Sequence, residues 1–297
     1  MYFAAEGARW SAVGLRWVWC RTRRVAVAAV VVAAAVKVHQ YWQRQQRRKR
    51  WAEAGKDVVV LHTFPRGAAC PNLSPFVLKL ETYLRMAEIK YEVDYEEPFG
   101  SKGKCPWITL NGEDLADSQF IMDYLGTKFA KDLSAHLSGE EKAVAHAFRN
   151  TLESNFFWAL VHWLFVVDKG RALVREMQLP FIFRFAVRAI TSKTKKALWQ
   201  QGMGRHTSTE IEHTGRQDLA ALSAYLGEKD YLMGEKPTEV DCTVFGFLCQ
   251  VMYCCRGSPY LRMLESDFPN LRAYVLRVRD KFWPDWNACL DPPQPVP

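Results

Sequence analysis

The sequence predicts an α/β domain followed by an all-α domain, the pair preceded by a membrane helix. Three observations carry this. Strand-like and helix-like periods alternate from Asp57 to Lys131; after Lys131 only helical periods recur; and an uninterrupted Ala/Val run lies close to the N-terminus. The 297 residues are enough for one large or two small domains, and a composition of 49% hydrophobic and 24% charged residues is that of a globular protein.

The net charge of +8 is unevenly spread. Residues 1–56 hold twelve Lys and Arg against Glu6 and Glu53, while the remainder carries 28 basic and 30 acidic residues. A nearly neutral body excludes a globular part built for nucleic acid, so no nucleic-acid partner is expected. Within the basic stretch lies VAVAAVVVAAAV, Val25 to Val36. Twelve residues fall short of the about 20 that a spanning helix needs. The segment reaches a workable length over 25–42, with Lys37 snorkelling to the headgroups and Tyr41 and Trp42 at the interface. The competing readings are a signal-peptide core, an Arg-rich mitochondrial targeting segment and a buried Ala/Val helix. The expected organisation is a basic segment (1–24), a transmembrane helix (25–42) and a basic linker (43–56). The α/β domain (57–131), the all-helical domain (132–285) and a Pro-rich tail (286–297) follow. Arg16–Arg24 and Arg44–Arg50 are both strongly positive, so charge does not fix orientation.

The eight cysteines include no C-x-x-C pair, and the histidines are scattered, so no metal site is expected. Free thiols, including vicinal Cys254 and Cys255, fit the reducing side of a membrane, with the globular part facing the cytosol.

VVVLHTF (58–64) is a β-branched run ended by Pro65. From Ser74 the apolar positions Phe76, Leu80, Tyr83, Leu84 and Ala87 fall at helical spacing, with Ser74 as N-cap and Pro75 in the first turn. KYEVDYEE alternates like a strand, and CPWITL then NGEDL reads as two strands joined by a tight Asn-Gly turn. DSQFIMDYLGTKF is a helix opening at an Asp/Ser cap. The resulting β-α-β-β-β-α order is a thioredoxin-like layout. Beyond it, NFFWALVHWLFVV (155–167) reads as a core helix, and PFIFRFAVRAI (180–190) as another or as an exposed apolar surface. Thr238-x-x-Asp241 is a capping box before an apolar run, a structural feature worth about 1 kcal/mol for the capping residue.

CPW before a strand, ADSQFIMDYL after it and PTEVDCTVFGFL late in the chain resemble the glutathione transferase fold. More finely, LSPFVLKLETYLRM, GMGR, YLMGEKPTEVDCTVFGFL and KFWP resemble the failed axon connections family, a branch close to the metaxins that often carries an N-terminal membrane segment. The resemblance covers roughly residues 57–285. It implies that Pro106 is a cis-proline which, with Trp107, presents backbone groups to glutathione, and that Asp117 and Ser118 receive its γ-glutamyl end. Ser74 and Cys70 are the two candidates for activating the thiol, Ser74 by donating to it at a helix N-terminus and Cys70 by ionising there. The plainer readings are that Ser74 and Asp117-Ser118 cap helices, Pro106 shapes a turn and Cys70 is a loop thiol. Cys70 lies outside the family's L-S-P pattern, and the loop Arg66–Leu73 is longer than in cysteine-type transferases. Two functions follow from the resemblance. One is a membrane-anchored interaction protein with a role in axon development, meeting protein partners or a second copy, with the mitochondrial outer membrane as one address. The other is a working glutathione-dependent transferase with glutathione as cofactor.

Overall fold

The structure, a computed structural model, describes the backbone of residues 3–178 and 184–293, with side chains from Val27 onward except at 28, 184 and 185. It divides into two units, Met1–Gly55 and Lys56–Pro297.

The first unit is a single helix, α1 (Phe3–Glu53), of 51 residues. Val27, Val30, Val31, Val32, Val36 and Val38 stand exposed along it. The expected span over 25–42 is not supported: among the described residues no helix is long and apolar enough to cross a membrane. Physically, stretching the Ala/Val run to spanning length draws in Lys37, His39 and Gln40 on one side. Part of the run, residues 25, 26 and 28, lies outside the described side chains.

In the second unit, a four-stranded sheet has the order β2-β1-β3-β4, built from β1 (Val59–His62), β2 (Tyr91–Asp94), β3 (Trp107–Leu110) and β4 (Glu113–Ala116). The central strands β1 and β3 are buried on both faces, which their β-branched and apolar composition permits. β1 runs parallel to β2 through the crossover helix α2 (Pro75–Met86) and antiparallel to β3. β3 and β4 form a hairpin whose turn residues Asn111 and Gly112 both have positive φ, the conformation the Asn-Gly pair favours. Helix α3 (Ser118–Phe129) follows β4. This is the expected β-α-β-β-β-α order.

Among the described residues, all remaining elements are helical. α4 (Gly139–Asn150) runs through π-helical turns at Thr151–Phe156 and Trp163–Val167 on either side of α5 (Phe157–His162). α6 (Arg171–Glu176), α7 (Arg184–Gln201), α8 (Ser208–Leu226), α9 (Glu239–Cys249), α10 (Pro259–Ser266) and α11 (Pro269–Phe282) complete the domain. The stretch 155–167 is a core helix as expected. Of the apolar stretch 180–190, residues 180–183 lie outside the described residues, and the rest opens α7. Residues 294–297 of the Pro-rich tail also lie outside.

Helix α2 joins the two halves. Leu80, Tyr83 and Leu84 pack with the sheet and α3, while Leu78 packs with the helical domain. On that second side α9 comes so close that a Cβ on Gly246 would lie 2.5 Å from the Pro75 carbonyl oxygen. Only a glycine permits this backbone contact. At the start of α9 the Asp241 carboxylate accepts from the Thr238 N–H (2.7 Å), the Thr238 hydroxyl (2.8 Å), the Leu232 N–H (2.8 Å) and the Tyr274 hydroxyl (2.8 Å). The hydroxyl donates to the carboxylate, because a fully buried carboxylate needs every donor in reach.

Candidate functional site

The strand register decides what meets at the end of the sheet. His62, the last residue of β1, faces Trp107, the first of β3, and Trp107 in turn faces Ala116, the last of β4. The loop that leaves β1, the Cys105-Pro106 step and the Asp117-Ser118 step therefore lie side by side at one sheet edge. The Cys105–Pro106 peptide is cis, and Pro106 is buried.

Three of these groups are held in defined ways. Asp117 takes φ +92°, a region that non-glycine residues rarely occupy and that concentrates at ligand-binding positions. Its carboxylate caps α3 by accepting from the Gln119 N–H at 3.1 Å. Ser118 behind it is buried. The Trp107 ring is buried, stacks on His62 at 3.6 Å and donates from Nε1 to the Glu97 carbonyl at 2.7 Å. Its side chain belongs to the core, which leaves its backbone as the part that could meet a ligand.

The loop Phe64–Leu73 is fixed by the buried Asn72. Its Nδ2 donates to Thr63 Oγ1 (2.8 Å) and the Phe64 carbonyl (2.9 Å), its Oδ1 accepts from the Ser74 N–H (3.0 Å), and its own carbonyl accepts from Gln250 (3.0 Å). This anchoring delivers Ser74 to the N-cap of α2, where its Oγ accepts from the Val77 N–H at 3.4 Å. Cys70 is placed differently from the loop thiol that the sequence suggested. It is fully buried in the helical domain's core, where burial pushes its thiol up and the Cys254 thiol hydrogen-bonds to it. Activation at a helix N-terminus would need the opposite shift. Cys105, at the sheet edge itself, is likewise pushed up by burial, to about 11.

Several polar residues at the heart of this region carried no signal in the sequence. His62 bridges Asp94 (3.0 Å) and Thr109 (2.9 Å) inside the sheet. Lys79 is fully buried, with its ammonium on Glu153 (2.6 Å) and on Gln119 (2.7 Å) in the first turn of α3. Glu81, also fully buried, receives a bidentate Arg66 at 2.8 Å twice and the Tyr91 hydroxyl at 3.1 Å. A lysine and a glutamate interrupting the inward pattern of α2 were the only hints available. They tie the β1 loop, α2, α3 and the helical domain into one polar frame behind the sheet edge.

A cavity of about 610 Å³ opens beside α3. Asp123, Asp132 and Glu239 line it on the side of α3 and α9, and Lys142, His146 and Arg149 on the side of α4. Of the expected site residues, Ser74, Cys70, Pro106, Trp107, Asp117 and Ser118, none lines it; Gln119, next to Ser118, does. Among the described residues no group of three or more His, Cys, Asp or Glu is arranged to hold a metal ion.

Residues 75–170 match the glutathione S-transferase N-terminal domain model, and residues 215–278 the C-terminal domain model. Failed axon connections of Drosophila melanogaster is 35% identical over 266 residues, 81% of this chain, which spans 64% of that protein's length. An isoprene-epoxide glutathione S-transferase of Rhodococcus is 28% identical over 76% of the chain and 99% of its own length. A metaxin-1 homolog of Caenorhabditis briggsae is 25% identical over 75% of the chain and 74% of its own. Among solved structures, a glutathione S-transferase of Ceriporiopsis subvermispora in complex with glutathione superposes with a TM-score of 0.54 at 16% identity, covering 76% of this chain and 98% of its own. That likeness speaks for the fold alone. With the two domain models on its two halves and the sheet-edge architecture described above, the chain belongs to the failed axon connections family of glutathione transferase-like, metaxin-related proteins.

Proposed function

We propose that this protein uses the glutathione transferase scaffold to bind other proteins rather than to conjugate glutathione. On this reading its role lies in axon development, as the name of the Drosophila relative suggests. The observation that carries the reading is the state of the two candidate activators. Ser74 Oγ is engaged as the cap of α2, and the Cys70 thiol is sealed in the core with its ionisation opposed. A transferase must hold a thiolate; the buried Cys70 opposes forming one, and Ser74, whose lone pair caps α2, has only its hydroxyl proton left to offer.

A second reading, an active glutathione transferase, is favoured by one specific feature. Asp117 is kept at φ +92° beside the cis Cys105–Pro106 peptide, the positions that the family resemblance implies for glutathione. Backbone strain of this kind is costly and is retained where it serves a ligand. On this view Pro106, Trp107, Asp117 and Ser118 still hold the tripeptide.

Titration calorimetry of the full chain with glutathione separates the two. The interaction reading expects no saturable heat. Saturable binding that disappears in Asp117→Ala, with the melting midpoint retained, would favour the second.

A further inference from the structure

Between Met177 and Thr209 the chain holds six basic residues and not one Asp or Glu. Residues 57–297 as a whole carry a small acidic excess, so this segment stands apart from everything around it. Most of it is α7, and the side chains there sort cleanly by face. Val187 and Leu198 are buried and Thr191 and Thr194 half-buried, a line at positions i, i+4, i+7 and i+11 that seats the helix on its domain. Arg188, Lys193, Lys195 and Lys196 are exposed on the remaining surface. Among the described residues, no carboxylate lies within ion-pair distance of any of the four.

One large apolar side chain shares that exposed surface: Trp199 is 59% exposed, while Ile190 lies on the opposite side of the helix. Trp199 lies one helical turn beyond both Lys195 and Lys196, and the Arg205 guanidinium stands 5.7 Å over its ring. Folding gains nothing from leaving an indole and four unpaired cations in water together. A lipid headgroup layer accommodates both: phosphates and serine carboxylates meet the cations, while the indole enters the interface, the depth at which tryptophan is enriched.

We propose that the outer face of α7 is a docking surface for an anionic phospholipid bilayer, with Arg188, Lys193, Lys195 and Lys196 meeting the headgroups and Trp199 inserting between them. Nucleic acid offers the same phosphates, but the exposed indole of Trp199 favours a surface with an apolar interior. Contact is peripheral and needs no spanning helix. It is also independent of whether glutathione binds.

The test is co-sedimentation of the full chain with vesicles of phosphatidylcholine alone and of phosphatidylcholine with about 30% phosphatidylserine, near 0.1 M salt, where charges still act over about 10 Å. The parent protein should pellet with the anionic vesicles. The variant Lys193→Glu, Lys195→Glu, Lys196→Glu should lose at least tenfold in partition coefficient, and Trp199→Ala severalfold, each with the melting midpoint of the parent. Since α1 carries arginines of its own, the comparison between variant and parent is the readout. If the charge reversal fails to fold, Lys193→Gln, Lys195→Gln, Lys196→Gln is read in its place, with a loss of at least threefold expected. Equal partition of the parent and the folded variant would overturn the proposal. So would a variant that loses binding to a single-stranded RNA oligonucleotide while keeping its binding to vesicles.

Discussion

Lys79 brings an ammonium group into a place that water does not reach. Burial pulls its pKa down, and the Glu153 carboxylate at 2.6 Å pulls it back up. The pair is worth little as a source of net stability, since desolvation consumes most of the attraction, but leaving one member alone is expensive. Glu153→Ala should therefore cost about 3 kcal/mol in urea denaturation, whereas Lys79→Met, which removes the charge and keeps the volume, should cost clearly less. Equal losses in the two variants would mean that packing, not the charge, is what Glu153 supports. The same residue marks where reading the sequence stopped. Helical spacing of Phe76, Leu80, Tyr83 and Leu84 located α2 but pictured it with one wet face. In the fold α2 is covered on both sides, so Lys79 and Glu81 are buried with partners 74 and 15 residues away in sequence, Glu153 and Arg66. No local pattern records such pairings. Cys70 was misplaced for the same reason: among the groups that surround it are Glu176, Cys249 and Cys254, more than a hundred residues downstream.

Among the elements, those with local causes were legible. The Asn111-Gly112 turn, the N-caps of α2 and α9 and the Asp117 cap of α3 follow from turn and capping chemistry contained in a few consecutive residues. The π-helical turns at Thr151–Phe156 and Trp163–Val167 were not, because they arise from how one long helix adjusts its register to several neighbours. Nor was the positive φ of Asp117. The contact between α2 and α9 makes a sharp prediction at this scale. Gly246→Ala places a methyl 2.5 Å from the Pro75 carbonyl oxygen, against backbone that has no rotamer to yield. The helices must separate, at about 1–3 kcal/mol, although alanine is the better helix former. A gain in thermal midpoint would show that this contact is looser than described. Asp218 gives the helical domain a pH dependence. Burial raises its pKa from 3.8 to about 6 against the opposing hydrogen bond from Asn155 at 2.7 Å. A raised carboxyl favours the fold while protonated in both states. That contribution is lost as pH rises through 3.8 toward about 6. Asp218→Asn should thus raise the melting midpoint more at about pH 7.5 than at about pH 4, and a shift of equal size at both would refute the assignment.

At the scale of the molecule, the α/β half, the helical half and their order were readable because strand-like period 2 alternates with period 3.6 up to Lys131 and does not recur after it. The N-terminal helix was located but given a span that the described residues do not support, since the reading relied on Lys37 snorkelling and left His39 and Gln40 inside the span unanswered. The sheet edge could be assembled on paper from Pro106 and Asp117-Ser118, yet what the neighbouring side chains do there depends on the whole fold. The central claim is that a transferase scaffold here lacks thiol activation. It is tested most directly by the steady-state rate of glutathione conjugation to a reactive electrophile, measured for the full chain and for Ser74→Ala. With Ser74 serving as a cap, both proteins should run at the uncatalysed rate, and Ser74→Ala should differ only by about 1 kcal/mol of stability. Conjugation well above background in the parent that falls at least tenfold in Ser74→Ala, a loss of about 1.4 kcal/mol in transition-state stabilisation, would contradict the account.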